Sequence, residues 1–356
     1  MMDRIKAEME FQEKCFEPLF HSWIQEVAEQ YGTQFEVNKK QFLIYTQSFL
    51  KSLNSLQKQI DCEPHILTFS VLWTALLEGV PSLLIEAHEG EPFMVNPILS
   101  EKIPAPWLFY HWKQFLESLD SRCGELGLSK YIRYPELRAK AIQAARDILF
   151  SDCMLMKAYM RTLEHTTEWI ELKKGSFFCL TAGEYMERQY PLVGERTEID
   201  LVYLESGSDA RFAKFEKKQF KGQDFDGLVL SDTIFEQCTF QNVSFKNCAL
   251  CDARLIDCTF EHCRFSNLSL MGAEIYATRL TDTVFEHVWT QFGQSRNRWD
   301  FISCGCTSFT NCLLEQVLLL NCEIQQVEFE DCQFIEIQSL NSDLCAQLRK
   351  RLVKEG

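Results

Sequence analysis

The chain has 356 residues, 46% hydrophobic and 24% charged, which is the balance of an ordinary soluble protein with room for two domains. Its net charge of −15 disfavours direct nucleic-acid binding, because a phosphate backbone is held by Lys and Arg. No apolar run reaches the length of a membrane span, and the start Met-Met-Asp-Arg-Ile-Lys lacks the apolar core of a signal peptide, so no membrane partner is expected and the expected compartment is the cytoplasm.

Residues 1 to about 60 read as helices. Phe11, Cys15, Leu19, Trp23 and Val27 make an apolar face, and Pro18 starts or kinks a second segment. Asn38 is placed to cap a helix carrying Phe42, Tyr45, Phe49 and Leu53. Residues 66–78 are apolar nearly all round, which marks them as central. From Ser82 to Val95 the pattern is a hairpin, Leu83–Ala87 and Pro92–Val95 joined by a His88-Glu-Gly-Glu91 turn. Pro104-Ala-Pro106 opens a helix through Trp107, Trp112, Phe115 and Leu119, and Pro135 sits in the first turn of a long helix running to about Lys173. Strand patterns follow at Phe177–Leu180, Tyr190–Val193 and Ile199–Leu204, then a polar linker at Glu205–Asp209. The expected boundary is near residue 207.

Beyond it, one large apolar residue recurs at every fifth position: Phe215, Phe220, Phe225, Leu230, Phe235, Phe240 and onward to Phe285. The beat fails, then returns in a new register at Trp299, Cys304, Phe309, Leu314, Leu319, Ile324, Phe329 and Phe334. A small residue precedes each beat by two positions, as at Thr233, Cys238, Val243, Cys248 and Ala253. A period of five is neither the 3.6 of a helix nor the 2 of a strand, and it signals a solenoid. Asn242, Asn247, Asp252, Asp257, His262, Asn267, Asp282, Asn311, Asn321 and Asp331 fall at solvent positions and suit tight corners.

Runs such as Cys238-Thr-Phe-Gln-Asn, Val243-Ser-Phe-Lys-Asn, Cys258-Thr-Phe-Glu-His and Cys332-Gln-Phe-Ile-Glu resemble the pentapeptide-repeat family. The resemblance implies a right-handed, four-sided parallel β-helix with twenty residues per coil, the Leu or Phe and the small residue pointing inward. Six coils at the strand spacing of about 4.8 Å would form a rod of roughly 29 Å. The fold class expected is thus α+β with two domains: a mainly helical N-terminal domain with a small β portion at 1–207, a β-helix at 208–340 with a loop inserted at 286–298, and a capping helix at 341–356. No family is recognised in the N-terminal domain. Leu344, Leu348 and Leu352 form one face of that last helix, which either caps the open end of the solenoid or, as in some members of the family, makes a homodimer.

Of the sixteen cysteines, seven occupy the small inward position, where a thiol serves as a compact apolar group, so reduced, buried thiols are expected. In this register Cys248 points inward and Cys251 outward, so the pair does not converge on a metal, and neither do Cys304 and Cys306. No nucleotide-binding loop, nucleophile elbow or zinc-protease motif is present. Glu164, His165 and Glu168 read as solvated side chains of a helix, and His88–Glu91 as a plain turn. No catalytic residue, metal or cofactor is assigned.

Two features interrupt the regularity. The break carries Trp289, Phe292, Arg296 and Arg298, a composition suited to an interface. The first coil is basic (Arg211, Lys214, Lys217, Lys218, Lys221), whereas 299–338 hold no Lys or Arg and carry Glu315, Glu323, Glu328, Glu330, Asp331 and Glu336, before Arg349, Lys350, Arg351 and Lys354 restore positive charge. An acidic surface on a rigid rod steers basic partners. The function expected is a non-enzymatic interaction scaffold or adaptor, with the first domain contacting a second partner. Bacterial adaptors that carry such repeats supply the analogy. The alternative is an acidic DNA-mimic that binds and protects or inhibits DNA gyrase or a topoisomerase, as some members of the family do.

Overall fold

The computed structural model describes residues 4–92, 94–197, 199–290 and 305–352. The chain divides into two compact units, Met1–Gly175 with Cys179–Leu192, and Ser176–Phe178 with Val193–Gly356.

In the first unit, α1 (Arg4–Phe11) continues through a π turn into α2 (Glu17–Thr33), with Pro18 in its first turn. Helix α3 (Phe35–Gln57) buries Phe42, Phe49 and Leu53. Asn38 does not cap it. The helix starts three residues earlier, and Asn38 is buried within it, accepting a hydrogen bond from the Tyr110 hydroxyl at 2.7 Å. The apolar segment after residue 65 is central as expected, but as strand β1 (Ile66–Val71) followed by the short α4 (Trp73–Leu77). β1 lies in the middle of a five-stranded sheet, between β2 (Ser82–His88, antiparallel) and β4 (Phe177–Glu184, parallel), with β3 (Leu99–Pro104) and β5 (Gln189–Arg196) at the edges. Phe69 on β1 meets Phe42 of α3 at 5.5 Å between ring centroids.

Three local expectations change here. The hairpin partner of β2 is β3, in the register Ser82↔Pro104, and not Pro92–Val95. The helix expected from Pro104 begins only at α5 (Trp112–Glu125), because Phe109 and His111 adopt left-handed backbone (φ 51° and 59°) that no helix can run through. The long helix α6 (Tyr134–Met160), with Pro135 in its first turn, stops short of Lys173. A 3-10 turn at Leu163–His165 intervenes before α7 (Thr167–Glu171), which Thr166 caps by accepting from the Trp169 N–H.

The second unit starts ahead of residue 207. Arg196 pairs with Ala213 and Asp209 with Val229, so the polar linker is already folded into the first coil. Ile199–Leu204 is no strand; it holds a 3-10 turn at Leu201–Tyr203, and Leu201 is buried in the solenoid core. From there the chain winds through short strands, paired in parallel with those twenty residues on, or 34 across the interruption. Side one stacks Phe215, Phe235, Leu255, Ile275, Phe309 and Phe329. Side two stacks Phe220, Phe240, Phe260, Leu280, Leu314 and Phe334. Side three stacks Phe225, Phe245, Phe265, Phe285, Leu319 and Ser339. Side four stacks Leu230, Leu250, Leu270, Thr290, Ile324 and Leu344, joined by bonds such as Leu250 N to Ser269 O and the pair Ile324↔Leu344. Ring centroids of Phe220, Phe240 and Phe260 follow one another at 4.9 and 4.4 Å.

The corners explain the polar beat. Asn242, Asn247, Asp252, Asp257, His262, Asn267, Asp282, Asn311, Asn321 and Asp331 all have φ between 48° and 56°. Asn and Asp tolerate this left-handed region better than other side chains. Ala277 occupies the same corner at φ 49° without that tolerance. Ala277→Gly is therefore expected to raise stability by ~0.5–1 kcal/mol, read as a higher urea midpoint. Ala253→Gly, at an inward core position without positive φ, should lower it.

The inward small residue is more than a spacer. Cys258 Sγ lies 3.3 Å from Phe235 O, Thr278 Oγ1 3.2 Å from Leu255 O, and Ser342 Oγ 3.2 Å from Leu319 O. Thiol and hydroxyl serve the same purpose in this slot, donating to the carbonyl of the coil below.

Candidate functional site

The register places the interruption. Phe285 pairs with Phe265, twenty residues back, and Trp289 with Ser269, so residues 286–290 still belong to the regular coil. Ile275 then pairs with Phe309, 34 positions on. The extra residues therefore fall after Thr290, not from residue 286. Trp289 is buried in a strand, not presented by a loop. Phe292, Arg296 and Arg298 lie outside the described residues, as do Trp299 and Cys304.

The acidic residues do not form one patch. Glu328 and Glu330 flank Phe329 on side one, with Asp331 at the adjoining corner. Glu315 stands on side two beside Leu314. Glu323 is on side four, paired with Trp289 and Asp343. Three of the basic residues of the first coil are matched locally: Lys214 pairs with Glu236 at 2.7 Å, Lys217 with Glu216 at 3.1 Å and Arg211 with Asp209 at 2.5 Å.

Leu344 belongs to the last strand of side four rather than to a helix, and α8 (Ala346–Leu352) follows it. Leu344 and Leu348 are buried in the solenoid core and Leu352 packs against it. Gln347 completes the open edge of side one, accepting from Phe329 N at 3.1 Å and donating to Phe329 O. Within the chain, this helix covers its own end of the solenoid.

A surface that the five-beat did not reveal stands on the last coils. Outward slots beside the central residues are mostly polar on the earlier coils, yet here they hold Leu313 on side two, and Leu318 and Leu320 on side three, all half-buried. Ile335 and Leu340 follow one coil later, 43% and 59% exposed. Leu320 pairs directly with Leu340 and Leu318 with Val284, so side three carries apolar columns. Glu315, Gln316 and Glu336 line the adjoining corner, with Gln316 donating to Glu336 at 2.9 Å. The signal in the sequence was the run Leu313-Leu-Glu-Gln-Val-Leu-Leu-Leu320, where alternate leucines must point outward.

The remaining motifs have structural explanations. Cys251 is buried, not outward, with its Sγ 3.4 Å from Ser269 Oγ. On its first three coils side four buries both flanks of its central residues, as Val229 and Ser231, Ala249, and Ser269 and Met271 also show. No group of three or more His, Cys, Asp or Glu side chains gathers among the described residues. His88 ends β2 rather than forming a turn; its Nε2 lies 3.9 Å from Glu86 Oε2, and both are buried. Burial pushes the Glu86 carboxyl up and the His88 imidazole down, so each favours its neutral form. No helix among the described residues is long and apolar enough to cross a membrane.

A parallel four-sided solenoid with a left-handed corner every fifth residue defines a β-helix of pentapeptides. Residues 250–286 match the family model described as pentapeptide repeats, in eight copies, and the second unit is a pentapeptide-repeat solenoid of about six turns; the first unit lies outside that match. Among solved structures, a pentapeptide repeat protein from the Arabidopsis thaliana thylakoid lumen is 18% identical over 38% of this chain and 75% of that one, with a TM-score of 0.20. QnrB1, a plasmid-mediated fluoroquinolone resistance protein, is 14% identical over 44% of this chain and 92% of its own, with a TM-score of 0.17. Rfr23 from the cyanobacterium Cyanothece 51142 is 15% identical over 39% and 89%, with a TM-score of 0.16. No curated protein matches the chain. These are likenesses, and no statement about function follows from them.

Proposed function

We propose that the protein is a non-enzymatic interaction scaffold or adaptor whose solenoid holds a rigid apolar strip against a protein partner, while the first unit contacts a second one. The observation that carries this reading is the set Leu313, Leu318, Leu320, Ile335 and Leu340, outward on coils whose inward positions are already filled by the core. Contiguous exposed apolar surface rimmed by polar groups marks interaction sites. The rim here is Glu315 and Glu336, so the fitting partner is a protein segment with apolar side chains flanked by Lys or Arg.

Leu320→Glu and Leu340→Glu are expected to abolish cross-linking from a photoreactive group placed at Gln338, in cells of the native host, while leaving the thermal midpoint within a few degrees, because both leucines point outward. A Lys218→Glu control should keep the cross-link. Cross-linking that persists in both leucine variants would remove the support for this surface.

A second reading has its own observation. The described part of the last coils, 305–340, carries Glu315, Glu323, Glu328, Glu330, Asp331 and Glu336 and no Lys or Arg. That charge supports a DNA-mimic acting on gyrase or a topoisomerase. A supercoiling assay separates the readings: neither protection nor inhibition at micromolar protein excludes the mimic.

A further inference from the structure

One inner corner of the solenoid is lined, coil after coil, by Cys238, Cys258, Thr278, Cys312 and Cys332. The register sets them in a single column, since each immediately precedes a residue of the ladder Thr239, Thr259, Arg279, Leu313, Gln333. Cys312 and Cys332 are the last two members and stand one coil apart. Each thiol faces main-chain carbonyls of the wall: Cys332 Sγ lies 3.2 Å from Phe309 O and 3.3 Å from Glu330 O, and Cys312 Sγ 3.4 Å from Ile275 O and 3.3 Å from Thr310 O. Cys312 is buried, whereas Cys332, on the last coil, is half-exposed.

Magnitudes decide what such a pair can bind. Groups stacked at the strand spacing stand about 4.8 Å apart. A disulfide needs its Cβ atoms about 3.5–4.5 Å apart, somewhat closer than side chains stacked in parallel at that spacing stand. Two metal–thiolate bonds of about 2.3 Å laid end to end span about 4.6 Å, close to the strand spacing of about 4.8 Å. We propose that Cys312 and Cys332 form a two-thiolate site for a soft, two-coordinate d10 cation of the Cu(I) or Hg(II) kind. Thiolates select soft ions of this class. On binding, each thiol releases its proton to solvent and two sulfur–metal bonds form, with no change of oxidation state.

A second observation points the same way. Cys332 follows Glu330 and Asp331, both exposed, with Glu328 on the same side and no Lys or Arg from 299 to 338. This acidic surround raises the local concentration of cations at the one partly open thiol of the column. The other stacked pair, Cys238 and Cys258, is only 1% exposed at each member and has intact coils on both sides, so access favours the terminal pair.

The test uses the full chain, kept reduced, in competition titrations of Cu(I) against a bathocuproine-type chelator and of Hg(II) against a small thiol, with X-ray absorption on the loaded protein. One tightly held equivalent with two sulfur neighbours is expected in at least one arm. The dithiolate is neutral with Hg(II) and keeps one negative charge with Cu(I), so retention in one arm alone assigns the ion. C312S and C332S should each lose the equivalent, and C306S, which removes the exposed Cys306, should keep it. Both serines should fold, because Ser342 fills the same slot of another column with hydrogen bonds of 3.2 and 3.1 Å to Leu319 O and Leu340 O. No equivalent held in either arm, survival of binding in C332S, or three or more sulfur neighbours would overturn the proposal.

Discussion

Replacing Phe240 with Ala is expected to destabilise the solenoid by ~3–5 kcal/mol, the range for emptying a buried aromatic site. Phe240 is fully buried, and its ring touches neighbours in both directions along the stack, Phe220 at 4.9 Å and Phe260 at 4.4 Å, as well as Phe235 and Phe245 on adjoining sides. Each coil contacts only the coils beside it, so a void there weakens two interfaces at once. Phe334→Ala removes the same side chain from the last coil, where it is only half-buried and has no coil beyond it. Its loss should be less than half as large. Chemical denaturation of the full chain, followed by circular dichroism, reads both, and equal losses would contradict nearest-neighbour stacking as the source of stability.

The stability of the first unit should fall as pH rises from about 5 to 9, and Asp152→Asn should remove that part of the fall. Asp152 lies fully buried on α6, and the Tyr31 hydroxyl donates to its carboxyl. Desolvation pushes this carboxyl up to about 8, while Tyr31 opposes the rise only in part. An unfolded Asp titrates near 3.9, and each pH step between the unfolded and folded values is worth about 1.4 kcal/mol. Between those two values the folded chain holds a proton that the unfolded chain has lost, so stability declines steadily with pH and the loss is complete above the folded value. At low pH the group costs nothing; at pH 9 it costs most. Asn keeps an oxygen for Tyr31 and has no charge to bury. The difference in urea midpoint between D152N and the unmodified chain should therefore grow from pH 5 to pH 9, with D152N the more stable at the upper end. A difference independent of pH would mean that Asp152 is not the group that titrates.

Legibility differed between the units for a physical reason. The solenoid's coils, its inward residues and its left-handed corners were readable because each pentapeptide meets a copy of its own environment, so Phe220, Phe240 and Phe260 report one another. In the first unit, Asn38 looked like a cap and Pro104 like a helix start because both have the local chemistry of helix ends. Burial of Asn38 against Tyr110, and left-handed turns at Phe109 and His111, override those preferences. The candidate site was legible only in part. The acids of the last coils were visible, but not that Glu315, Glu323 and Glu328 stand on three sides. Trp289 had the composition of an interface residue and lies in the wall of the coil. The outward leucines at 318 and 320 were hidden in a run that reads simply as apolar.

By itself the sequence determined the twenty-residue coil, the residues that fill it and the chemistry of its corners, because these depend on contacts repeated at a fixed spacing. Only the tertiary structure decided that the interruption falls after Thr290, that β1 is the middle strand of its sheet, that the leucines of side three line up, and that Cys312 stands over Cys332. Each of these depends on which distant segments exchange hydrogen bonds, and the pairings Trp289↔Ser269, Ile66↔Cys179, Leu320↔Leu340 and Leu313↔Gln333 leave no mark within either segment alone.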